Sequence, residues 1–178
     1  MLGQVRVVDR ATPVLRLLLG LALLAIMATG CSGSDGPAAC GPITQEALDP
    51  NFLLHVLPGA RGVRYRTDPP TSGAHQPAPR LARVQHRPLP RPVQVGVLEA
   101  GDVLLQYRGL RSSDIDRLER LAGGHVVVAP DPDLPLRFRV VATGWVYKRT
   151  CTALDTGALR EFVGQRAGKG PNSGQGNG

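Results

Sequence analysis

The pattern of apolar and polar positions changes character near residue 100. Beyond it the pattern is regular. "DVLLQY", residues 102 to 107, predicts a strand. "SDIDRLERLA", residues 113 to 122, carries Ile115, Leu118, Leu121 and Ala122 on one helical face. Ser113 suits its N-cap, Asp116 its N3 position, and Gly123-Gly124 its end. "HVVVAP", residues 125 to 130, predicts a second strand, and "LRFRVVATGWVYKRT", residues 136 to 150, one long strand or a tight hairpin. There Phe138, Val140 and Ala142 alternate with Arg137, Arg139 and Val141, which predicts one covered face. A closing helix from about Thr156 turns Leu159, Phe162 and Val163 inward. Strand, helix, strand, long strand and helix make an α+β domain with a small mixed sheet.

Before residue 100 the rhythm is broken by Pro58, Pro69, Pro70, Pro77, Pro79, Pro88, Pro90 and Pro92. Proline lacks the backbone donor and fixes φ, so long helices and central strands are not expected there. A short strand from Val63 to Arg66 is the one element this half suggests. The packed domain is expected over residues 40 to 167. The small polar stretch "SGSDGPAA", within residues 31 to 39, reads as a flexible tether, and residues 168 to 178 as a disordered tail.

The N-terminus adds an address. Arg6, Arg10 and Arg16 precede an uncharged run from Leu17 to Ala28, and small residues lead to Gly30-Cys31. A basic start, a short apolar core and small residues before a cut describe a signal peptide over residues 1 to 30. The cut resembles a bacterial lipobox, which implies acylation of Cys31 and a lipid-anchored, extracytoplasmic protein; an uncleaved anchor is the alternative. With Cys31 acylated, Cys40 and Cys151 remain as an even pair in an oxidising compartment, where a disulfide is expected over two unrelated buried thiols.

Charge narrows the partners. The chain of 178 residues has 21 basic against 14 acidic side chains, a net charge of +7, and Lys148 and Lys169 are its only lysines. The arginines are scattered and aromatics amount to 4%. No RNA-binding aromatic signature, zinc finger or basic heptad region occurs, so a surface beside an anionic membrane is the better reading than nucleic acid.

"DPPTSGAH", residues 68 to 75, holds one imidazole stiffly. Pro69 and Pro70 favour extended backbone, Thr71 or Ser72 can bond nearby amides, and Gly73 supplies a turn with positive φ. His75 can donate from one ring nitrogen and accept at the other, with Glu99 a possible partner. Ser72 lies in no G-x-S-x-G elbow, and the chain has no phosphate-cradling P-loop pattern.

"YRTDPPTSGAHQPAP", "VLEAGDVLLQY" and "ATGWVYKRTC" together resemble the bacterial domain-of-unknown-function family 3105, from about Cys40 to Val163. The family's second block usually reads V-H-x-L-E-H-G. Here Leu98, Glu99 and Gly101 are kept, while Gly96 and Ala100 stand at the histidine positions. The resemblance implies that three imidazoles could meet one transition metal in a complete member. In this chain only His75 is left of the three, so Ser72, His75 and Glu99 are expected to be the remnant of a site, with no catalytic residue, metal or cofactor. The reading that results is a non-catalytic binding or envelope module, its ligand an anionic envelope polymer or a protein. The alternative is a metal-binding protein or metal-dependent enzyme using His75, Glu99 and a replacement ligand from His55, His86 or Asp102.

Overall fold

The computed structural model describes residues 38–77 and 81–174. The expected signal peptide, Cys31 and most of the expected tether lie outside the described residues. No helix among those described is long and apolar enough to cross a membrane.

The elements run β1 (Thr44–Gln45), α1 (Arg91–Glu99), β2 (Val103–Tyr107), α2 (Ser112–Glu119), β3 (Val126–Pro130), β4 (Val140–Gly144), β5 (Tyr147–Cys151) and α3 (Thr156–Arg166). They form an α+β domain around one mixed sheet ordered β1-β5-β4-β2-β3. β2 and β3 pair in parallel, with Val103 opposite Val126, and α2 makes the crossover between them. The remaining pairings are antiparallel. The stretch from residue 136 resolves into a hairpin, β4 and β5, whose two-residue turn holds Val146 at φ 54, a conformation that side chains seldom adopt.

Alternate residues of β2 and β3 enter different cores. Val103, Leu105, Val126 and Val128 pack with Leu118 of α2 and with Leu159 and Phe162 of α3. Leu104, Val127 and Ala129 pack with Val93, Val97 and Leu98 of α1. Both faces of the sheet are therefore covered, which explains why all five residues of β4 are buried and corrects the expectation of one covered face. Cys40 and Cys151 form a disulfide across an isolated bridge beside the first core.

The main departure from expectation is α1. Its Pro92 sits in the first helical turn, where a missing amide breaks no intrahelical bond, so the proline opens the helix rather than forbidding it. Val63 to Arg66 is not a strand; the Arg66 amide donates instead to the Asp49 carboxylate at 3.2 Å. The N-cap of α2 falls two residues early, at Arg111, so Ser113 is inside the helix. The chain also stays attached beyond residue 167. Gly168 donates to the Gly101 carbonyl and Asn172 to that of Glu99, so residues 168 to 173 strap the α1–β2 turn instead of leaving the surface as a tail.

Candidate functional site

The polar side chains of the turn before His75 are engaged. Ser72 Oγ accepts from the Asp49 amide at 2.9 Å, and Thr71 Oγ1 donates to Glu46 at 2.9 Å. Tyr65 Oη donates to the Ala74 carbonyl at 2.8 Å. Burial, then the nearby Asp49 carboxylate, pushes the Tyr65 phenol up to about 12. Gly73 has φ +128, and a Cβ there would meet the Tyr65 ring at 2.8 Å. Only glycine fits this position without displacing its neighbours.

The turn delivers a fully buried His75. Its Nδ1 lies 3.0 Å from the Gly73 carbonyl, and because a carbonyl can only accept, Nδ1 carries the proton. In the neutral ring Nε2 then holds the lone pair. That atom lies 2.7 Å from Glu99 Oε2, yet it is among the buried side-chain atoms with no hydrogen-bond partner. The pair is close without being aligned as a hydrogen bond, so the contact lacks the direction that a stabilising bond needs. An imidazole lone pair facing a carboxylate repels it; a cation between them, a proton or a metal, removes the repulsion.

Glu99 reaches His75 from the C-terminal end of α1. Gly96 is buried inside that helix and Ala100 caps it. The third group comes from a different segment. His75 donates its amide to the Leu54 carbonyl at 2.9 Å, and Val56 donates to the His75 carbonyl at 2.8 Å. This parallel bridge sets His55 beside His75 with ring centroids 4.7 Å apart, edge to face. One ligand atom each from His55, His75 and Glu99 lie within 4.8 Å of one another, with His55 exposed.

The structure thus brings together His75, Glu99 and His55 of the residues considered from sequence. Ser72 is turned to the Asp49 amide. Asp102 bonds Arg83 and the half-exposed His125, and His86 is exposed on the loop after Val84. Spacing offered no reason to select His55. Its one signal was local: it is the only polar side chain in the uncharged run from Phe52 to Ala60.

A family model described as a protein of unknown function, DUF3105, matches residues 55–177, which takes in all three of these residues. No curated protein and no solved structure matches the chain. The chain belongs to the DUF3105 family.

Proposed function

We propose that this DUF3105 domain is a binding module for a divalent transition metal, Zn(II) or Cu(II), held by His55, His75 and Glu99 on a lipid-anchored extracytoplasmic protein. The observation that carries the reading is the His75 ring: fully buried, its Nδ1–H committed to the Gly73 carbonyl, its Nε2 without an aligned hydrogen bond and 2.7 Å from the Glu99 carboxylate. Metal-bound histidines usually donate the second ring nitrogen to a carbonyl or carboxylate, which fixes the tautomer and aims the lone pair. Two imidazoles and a carboxylate suit zinc or copper. Ligands on a tetrahedral zinc stand about 3.3 Å apart, from bond lengths of about 2.0 to 2.1 Å. Binding would therefore open the His75–Glu99 contact slightly and draw His55 inward, and the exposed His55 leaves room for that. Three protein ligands leave a fourth position for water or an incoming group. His55 serves as the replacement for the imidazoles that Gly96 and Ala100 do not supply.

The test is a Zn(II) competition titration against a chromophoric chelator, using residues 38–178 without a histidine tag. About one equivalent should bind, with binding lost in His75→Ala and Glu99→Ala and weakened in His55→Ala. Binding should also weaken on acidification, since the imidazoles must shed protons to bind metal. A domain that takes up no zinc, or variants that bind as the parent does, would overturn the metal reading. The anchor is tested separately: blocking lipoprotein signal peptidase should leave a larger precursor, and an unchanged size refutes acylation at Cys31.

A further inference from the structure

We propose that the loop from Phe52 to Ala60 docks on an anionic lipid surface and seats the His55 side of the domain against the bilayer. This goes beyond the metal reading and stands without it. Leu53 is 79% exposed, Leu54 54% and Leu57 81%, all within five residues of a stretch with no charge. Their exposure does not come from loose backbone. Phe52 donates to the Asp49 carbonyl at 3.2 Å, Leu54 to that of Asn51 at 2.9 Å, and Val56 to that of His75. Ala60 donates to the Leu57 carbonyl at 3.1 Å, closing a Pro58-Gly59 turn in which Gly59 has φ +77. Proline followed by a positive-φ glycine is the type II pattern, so Leu57 stands at the start of a defined turn. The loop presents leucines to solvent in fixed positions, where covering them is favourable.

Charge complementarity selects the occupant. Arg61, Arg64 and Arg66 follow the loop, are exposed, and pair with none of the described acidic side chains. Leu54, Arg61 and Arg64 line one shallow hollow of about 370 Å³. Apolar side chains that enter the acyl boundary, next to cations that meet phosphate headgroups, are what an interfacial contact requires. The chain outside the described domain points the same way. Ala38 lies seven positions beyond Cys31, a reach of at most about 25 Å at about 3.6 Å per residue. An acylated Cys31 would hold the domain within that distance of a bilayer.

Residues 38–178 form a compact unit with the disulfide and both cores, so the domain can be tested without its anchor. Sedimentation with vesicles of mixed phosphatidylcholine and phosphatidylglycerol should carry the protein down, and pure phosphatidylcholine should carry far less. The double variant Leu53→Ser/Leu57→Ser should lower binding about tenfold or more. Arg61→Gln/Arg64→Gln should weaken it and flatten its decline with added salt. Circular dichroism of each variant keeps loss of binding distinct from loss of fold, and chelator-stripped protein should bind vesicles equally. No sedimentation with the anionic vesicles, or leucine variants that bind as the parent does, would overturn the proposal. So would a dimer in solution that the leucine substitutions dissociate, because the patch would then belong to a second copy of this chain.

Discussion

Replacing Gly73 by alanine tests whether the turn before His75 is held in one conformation. The residue has φ +128, and its new Cβ would stand 2.8 Å from Tyr65 Cδ1 and 3.2 Å from Asp49 Cγ. A residue with a side chain in a sparsely populated backbone region costs about 1 to 3 kcal/mol, and an overpacked contact costs about as much again. Neither neighbour is free to retreat: Tyr65 donates to Ala74, and Asp49 holds the Asn51 and Arg66 amides. A combined loss of about 2 to 6 kcal/mol is expected. At about 2.1 cal/mol/K per residue, residues 38 to 174 unfold with an entropy of about 0.29 kcal/mol/K. The midpoint of thermal unfolding, followed by circular dichroism with the disulfide intact, should then fall by about 7 to 21 °C. Adding Tyr65→Ala should relieve the contact but not the backbone strain, so the double variant loses less than the sum of the single ones. A Gly73→Ala midpoint within about 3 °C of the parent would refute the account.

Three further outcomes follow from other parts of the molecule. Reducing Cys40–Cys151, which spans 111 residues, should lower the midpoint by about 10 °C or more, because closing a loop of about 100 residues is worth about 4 to 5 kcal/mol in the chain-entropy account; an unchanged midpoint with titratable thiols would contradict it. Tyr65 should ionise near pH 12, above its unfolded value near 10, as read by ultraviolet absorbance. The folded state then holds the proton more tightly, so the stability from this group is complete below pH 10 and is lost as pH rises toward 12; a tyrosine titration that ends near 10 would rule this out. In Gly170→Ala the Cβ would collide with Glu99 O, Gly101 N and Leu98 O, so the C-terminal strap should detach while the core stays folded. Faster amide exchange at Gly168 and Asn172 with little change in midpoint is expected, and unchanged exchange would count against the packing described.

What could be read from sequence was what local pattern encodes. The apolar runs of β2 and β3 and the inward positions of α3 were legible because burial on a regular element leaves a short period in the chain. α1 was obscured by Pro92, whose meaning depends on whether it opens a helix or interrupts one. The double coverage of the sheet was hidden for a related reason. The helix on its second face was the one the prolines concealed, so Val141 seemed to face solvent when it is fully buried. Of the candidate site, the stiff turn and the His75–Glu99 contact could be inferred from residue chemistry. His55 could not, since it reaches His75 through a backbone bridge across 20 residues of irregular chain, and such chain carries no period from which to read a contact.

The disulfide encloses all five strands of the sheet in a ring from residue 40 to residue 151 and leaves α3 outside it. On the proposed export route the chain emerges amino end first. Cys40 therefore reaches the oxidising side early and waits for its partner until almost all of the domain has crossed. During that interval the nearest thiol is Cys31, nine positions upstream. Acylation of Cys31 would remove that competitor, so the modification proposed to fasten the protein to the membrane would also leave Cys40 with one possible partner.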